Sequence, residues 1–269
     1  MTTTPRFFAR SYGVYYGKGP LPGLENLDLA ILEPMGWQTS QLRELKAAGV
    51  KVLAYLSVLE VPPWRESVAG LQSNDLIQVH GSEPWVKQPF GNRLARPDSK
   101  RWRLFLEQHL TQLYRQGWDG LFLDTLGDVE DEELAPITGW LAPATADLIH
   151  LCRRLFSDRI LIANNGLWGM VPLLLPYLDG VSWEGQLTPP IMREPWAQAM
   201  LDFLGQMRSQ RGWVNLMLTQ MPHDPGNQKT IQDFYLWAER LGFLAYAAPG
   251  DYTHGIRLRD GRIAIPASY

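Results

Sequence analysis

Two six-residue segments, Asp119-Gly-Leu-Phe-Leu-Asp124 and Asp179-Gly-Val-Ser-Trp-Glu184, share one plan. Each opens on Asp-Gly, runs through strand-forming residues and delivers a carboxylate five positions after its first Asp. A strand buried on both faces is apolar throughout, because an unpaired charge inside it is costly. A carboxylate at the last position therefore has to emerge from the strand's carboxyl end, the face that carries the active site in parallel α/β barrels. Matched offsets put the two acids at similar heights. Asp119 and Asp179 fall at the opposite ends and read as turn residues.

The rest of the chain follows the same grammar. Short apolar runs alternate with amphipathic stretches, as repeated βα units require. Strands are expected over 12–16, 27–32, 51–58, 120–124, 160–163, 180–183, 214–218 and 243–247, and helices over 40–48, 100–116, 145–156, 171–177, 195–211 and 229–241. Gly49, Gly117, Gly212 and Gly242 stand where helix C-caps want glycine. Residues 60–98 break the pattern, being rich in Pro, Gly and Trp; a loop of that length in a compact domain is usually functional. Nothing divides the chain, and 269 residues fit one barrel of ~250. The expectation is an α/β fold, a single (β/α)8 TIM barrel spanning 1–269 with a long irregular loop after the third strand.

Composition removes several partners. A net charge of −3 gives no reason to expect nucleic acid or an anionic membrane. No apolar run reaches the ~18 residues of a bilayer span. The first residues lack a signal core, so the sequence as it stands reads as cytoplasmic, or as exported had a leader been removed. The lone Cys152 sits in a helical run and reads as core. The 11 Trp, 10 Tyr and 9 Phe either fill a barrel and its helix layer or, in the βα loops, line a sugar cleft. Nothing points to more than a monomer.

The expected strand ends carry Tyr16, Glu33, Ser57 with Glu60, Asp124, Asn164 with Asn165, Glu184, Thr219 with Gln220, and Pro249. Of six lysines only Lys18 falls near a strand end, against a Schiff-base aldolase. The five histidines are scattered, against a His-rich metal centre. The fifth strand ends in amides, against an enolase-like magnesium site, and no glycine-rich phosphate loop precedes the last helix. Two carboxylates with polar helpers remain, and glycosidic hydrolysis without a metal fits them best. Asp124 is assigned as nucleophile and Glu184 as general acid/base. Strands four and six have the same parity, so their acids can share a layer. Tyr16, Glu33, Tyr55, Ser57, Glu60, Asn164, Asn165, Trp183 and Gln220 are the substrate-binding candidates. For Tyr55, Ser57 and Glu60 the alternative is a core tyrosine with loop polars, and for Asn164-Asn165-Gly166 a tight turn. The acidic run Asp128, Glu130, Asp131, Glu132, Glu133 either attracts a cationic polymer or forms a solvated face or helix start.

These motifs resemble the endo-α-1,4-polygalactosaminidase family of TIM-barrel glycoside hydrolases. The resemblance rests on Asp28-Leu-Ala-Ile-Leu-Glu-Pro34, Gly49-Val-Lys-Val-Leu-Ala-Tyr-Leu-Ser57 with Glu60, Gly117-Trp-Asp-Gly-Leu-Phe-Leu-Asp-Thr125, Ile162-Ala-Asn-Asn-Gly166 and Val181-Ser-Trp-Glu184, in that order. It implies endo-acting cleavage of α-1,4-linked galactosamine-containing polysaccharide without a cofactor, with the family's catalytic Asp and Glu matching Asp124 and Glu184. The nucleophile assignment adds the expectation of a retaining enzyme. The chain departs from the family at Leu59, where Gly is usual, at Glu33, where Asp is expected, and at Gly127, where an acid is common. Two other readings stay open: a barrel that binds glycan without hydrolysing it efficiently, and a hydrolase of a non-carbohydrate ester with a metal on Asp124 and Glu184.

Overall fold

A computed structural model describes residues 7–79, 83–188, 190–222, 224–258 and 260–266. Eight parallel strands run in chain order around a barrel: β1 (Tyr12–Tyr15), β2 (Leu29–Leu32), β3 (Lys51–Ser57), β4 (Gly120–Asp124), β5 (Ile160–Asn164), β6 (Gly180–Glu184), β7 (Val214–Gln220) and β8 (Leu244–Ala248). The first and last strands lie side by side, with the Tyr12 and Tyr246 rings 5.6 Å apart, so the barrel is nearly closed. Helices pack outside it: α1 (Thr39–Ala47), α2 (Pro63–Ala69), α3 (Lys100–Gln116), α4 (Thr138–Leu155), α5 (Val171–Leu174), α6 (Pro195–Arg211) and α7 (Gln228–Leu241). None of the described helices is long and apolar enough to cross a membrane.

Most expected elements are present with shifted ends. β5, β6 and β7 each run past their expected ends into the polar residues that close them. α4 starts seven residues before the expected 145, carrying Pro143 inside it at the cost of one backbone bond. α5 stops at Leu174; Leu175 still has a helical backbone, but Pro176 has no N–H with which to continue the ladder. The four anticipated glycines all follow helix ends with positive φ. The 60–98 segment is more ordered than expected. It holds α2 and a small antiparallel sheet in which Asn92–Leu94 pairs with both Glu60–Val61 and Val86–Lys87.

The two Asp-Gly pairs do matching structural work, and neither aspartate is merely a turn residue. Gly120 and Gly180 each start a strand so close to the next one that a Cβ would run into the carbonyl oxygen of Ile160 or Val214. Asp119 accepts from the Val52 amide at 3.0 Å and pairs with Lys46 at 2.9 Å. Asp179 accepts from the Leu161 amide at 2.9 Å and pairs with Arg153 at 2.6 Å. Each aspartate therefore ties the preceding strand to a cation from an outer helix. The Arg153–Asp179 pair is largely buried, so removing its acid strands a guanidinium. Asp179→Ala is expected to lower unfolding free energy by about 3 kcal/mol in urea titration, with activity per folded molecule unchanged.

Candidate active site

Parallel pairing carries the acids to one end of the barrel. Leu123 pairs with Ala163 and Asn164 with Ser182, so β5 stands between β4 and β6 and presents Asn164 between Asp124 and Glu184. The Asn164 amide nitrogen donates to Asp124 Oδ1 at 2.9 Å and to Glu184 Oε2 at 2.7 Å. Those two carboxylate oxygens are therefore separated by at most the sum of these distances, 5.6 Å. The amide can face them only this way round, since its carbonyl oxygen would meet two acceptors. That carbonyl, Asn164 Oδ1, is buried without a partner, as is the hydroxyl of Ser182 on the neighbouring strand.

Each acid has a tyrosine as well. Tyr55, on β3, donates to Asp124 Oδ2 at 2.9 Å. Tyr252, in the loop after β8, donates to Glu184 Oε1 at 2.6 Å. Tyr16 joins these two phenols into one aromatic wall, its ring 4.5 Å from Tyr55 and 5.3 Å from Tyr252. Each acid thus accepts from two donors, its own tyrosine and the shared Asn164 amide. Burial pushes the Glu184 carboxyl up; the Tyr252 hydrogen bond opposes this, the Asp124 charge adds to it, and the Asn164 bond opposes it.

The other candidates divide by where their side chains go. Asn165, in a left-handed conformation with φ 54°, accepts from the Glu184 amide at 2.9 Å and so supports the acid from its backbone. Gln220 faces the Tyr252 phenol. Glu33 caps the turn at Pro34–Gly36, and burial raises its carboxyl. Two candidates are turned to other work. Ser57 is buried and donates to the Glu60 carbonyl at 2.7 Å, because the chain reverses immediately after β3. Trp183 alternates to the opposite face from Glu184 and is buried, its ring 5.9 Å from that of Trp196.

The acidic run is in part a helix start, with Asp131 capping the short helical turn Glu132–Ile137 by accepting from the Glu133 amide at 3.0 Å. Most of its acids also hold partners from other segments. Asp128 and Asp131 hold Lys87 at 3.0 and 3.1 Å, Glu133 accepts from the Trp85 indole at 2.6 Å, and Glu130 accepts from the Trp168 and Gly169 amides. The run pins the 60–98 excursion and the loop after β5 to the β4 end. Glu60 accepts from Asn92 at 2.7 Å and stands against Asp128. Burial and the Glu60 charge push the Asp128 carboxyl up to about 7, against the pull of Lys87. Thr125, with φ 68°, accepts from the Leu59 and Val58 amides at 2.9 and 3.1 Å and locks the same loop.

Sequence reasoning missed Tyr252, Thr125 and Lys87. Thr125 follows Asp124 directly and was legible as a strand-end polar residue. Tyr252 and Lys87 lie in irregular segments with no periodic signal.

A parallel barrel with an acid pair converging at its carboxyl end has the architecture of TIM-barrel glycosidases. The chain belongs to glycoside-hydrolase family GH114, whose model matches residues 18–157, just over half its length. It is a glycoside hydrolase. Its fold is similar to the glycoside hydrolase domain of PelA from Pseudomonas aeruginosa, with 22% identity and a TM-score of 0.76 over 92% of this chain and 97% of that one. It is also similar to Ega3 from Aspergillus fumigatus, solved in complex with galactosamine, with 13% identity and a TM-score of 0.69 over 91% and 94%. The α-galactosidase TtGalA from Thermus thermophilus matches at 11% identity and a TM-score of 0.58, over 93% of this chain and 60% of that one. Sequence comparison with curated proteins finds no relative.

Proposed function

We propose that this glycoside hydrolase is a retaining, endo-acting enzyme on α-1,4-linked galactosamine-containing polysaccharide, with Asp124 as nucleophile and Glu184 as acid/base. The carrying observation is the shared Asn164 amide, which keeps the facing carboxylate oxygens within 5.6 Å. Retaining glycosidases hold their acids ~5–5.5 Å apart, whereas inverting ones need ~6.5–9.5 Å to admit a water.

The electrostatics support the same division of roles. Glu184, with its carboxyl raised by burial and by Asp124, holds a proton for the leaving oxygen. Asp124 attacks the anomeric carbon and becomes an ester. Its charge is then gone, one cause of the raised Glu184 carboxyl is gone with it, and Glu184 ionises to draw a proton from the incoming water. Exposed tryptophans at Trp64, Trp168 and Trp196, in or just after the βα loops, support binding of several sugars in a row. Galactosamine as the sugar draws support from the complex of the fold-similar Ega3.

Incubation with a partly deacetylated α-1,4-galactosamine polymer should yield shortened oligosaccharides that carry the α anomer before mutarotation, read by proton NMR. A β anomer would overturn retention. Release of monosaccharide alone would overturn endo action.

A further inference from the structure

We infer that Glu184 carries and releases its proton at Oε1, and that Tyr252 is the positioning residue that fixes this choice; the inference rests on the acid/base assignment above. The two oxygens of Glu184 face chemically different neighbours. Oε2 faces the Asn164 amide at 2.7 Å, a group that can only donate there. Oε1 faces the Tyr252 hydroxyl at 2.6 Å, which can donate or accept. A protonated carboxyl has one good acceptor, its carbonyl oxygen, and one hydroxyl. Neutral Glu184 gives the Asn164 amide its good acceptor and its own hydroxyl an acceptor with the carbonyl at Oε2 and the hydroxyl at Oε1. A proton on Oε2 would weaken the Asn164 bond and leave Tyr252 with nothing new to accept.

Turnover then needs two hydroxyl rotations, the Glu184 O–H from Tyr252 to the leaving oxygen and the Tyr252 O–H back onto Oε1, and no movement of the protein's heavy atoms. The Glu184 O–H bond breaks as the leaving oxygen takes its proton, while the glycosidic C–O electron pair stays with that oxygen and Asp124 bonds to the anomeric carbon. The charge left on Oε1 is met by Tyr252, which turns from accepting to donating. Burial and the Glu184 charge push the phenol well above its ordinary range, so it keeps its own proton throughout.

Tyr252 is built to hold this position. Its backbone is left-handed, with φ 67°, a conformation that costs a non-glycine residue free energy and persists only where its surroundings enforce it. Its carbonyl accepts from the Tyr16 amide at 2.7 Å, and its ring packs on Tyr16. Behind it, buried Arg257 donates to the carbonyls of Ala247 and Met221, both at 2.9 Å, anchoring the hairpin that follows the loop.

The test is Tyr252→Phe, which keeps the ring and the backbone preference and deletes only the hydroxyl. Turnover is measured across pH on the polymer and on an aryl α-galactosaminide whose phenol leaves without a proton. The Glu184 carboxyl is titrated separately by carbon-13 NMR, its signal assigned with Glu184→Gln. Polymer kcat is expected to fall about 30-fold and KM to change by less than about 2-fold, with about 3-fold loss on the aryl substrate. Donation to a carboxylate is stronger than acceptance from a neutral acid, so losing the hydroxyl raises the Glu184 carboxyl. Its titration and the alkaline limb of the polymer profile should both move up by about one pH unit. Equal losses on both substrates with an unmoved titration would reduce Tyr252 to a packing role and overturn the inference. Full polymer activity in Glu184→Gln would instead overturn the acid/base assignment, and the inference with it.

Discussion

Asp124→Ala is expected to lower polymer turnover by about three orders of magnitude or more, and azide should restore part of it. The alanine leaves a space still faced by two donors, the Tyr55 hydroxyl and the Asn164 amide. A small anion fits those donors and can attack the anomeric carbon from the side the carboxylate occupied. The expected product is a glycosyl azide of inverted configuration, seen by mass spectrometry and NMR with an activated substrate. Removing the negative charge also removes one cause of the raised Glu184 carboxyl. Glu184 then loses its proton at lower pH, so residual activity should decline earlier on the alkaline side than in the wild type. Stability should be unchanged or improved, because two carboxylates no longer face each other across one amide. Undiminished turnover in this variant would remove Asp124 from the mechanism. Azide-independent residual activity giving an inverted sugar would point to a water attack in its place.

That acid pair was visible in the sequence because a strand buried on both faces permits a charge only at its end. Both segments obey the rule, and both are strands that close on their acids, Gly120–Asp124 and Gly180–Glu184. The glycines were visible too, though as turn signals. Their actual task, close approach to the next strand, depends on register that one chain's residues do not reveal. Trp183 could have been placed by alternation alone: it neighbours Glu184 and must face the other way. Ser57 could not, since its hydroxyl was claimed by a chain reversal inside an irregular segment.

Tyr252 lay out of reach for a different reason. The stretch Pro249-Gly-Asp-Tyr-Thr-His254 has no periodicity, and only near-closure of the barrel brings the end of β8 alongside β1 and over Glu184. The acidic run after Asp124 teaches the same lesson in charge. Read alone, it is a surplus of carboxylates. In the fold most of it is consumed by partners from distant segments, Lys87 and Trp85 from the excursion and the Trp168 loop from β5.

Asn164 was expected to touch substrate, yet its geometry assigns it to the acids themselves, and Asn164→Ala should reveal this. One nitrogen donates to both carboxylates, so truncation removes a stabilising contact from each and allows them to separate. Loss of one preorganised donor in a dry site costs about 100- to 1000-fold in kcat, and this donor serves two groups. An expected loss of about 300-fold in polymer turnover follows. The bond to Asn164 is one of the two contacts that hold the Glu184 carboxyl down, so its removal raises that carboxyl and moves the alkaline limb to higher pH. Asn164→Asp separates donor chemistry from volume. It preserves the side chain's size but places a third carboxyl between two others, and only its protonated form can donate, to one neighbour at a time. Activity in that variant should therefore appear only at acidic pH, where the third acid is neutral. If Asn164→Ala turns over polymer at the wild-type rate with an unmoved pH profile, the acids hold their spacing without the amide, and the close approach on which retention depends must be enforced by the strands alone.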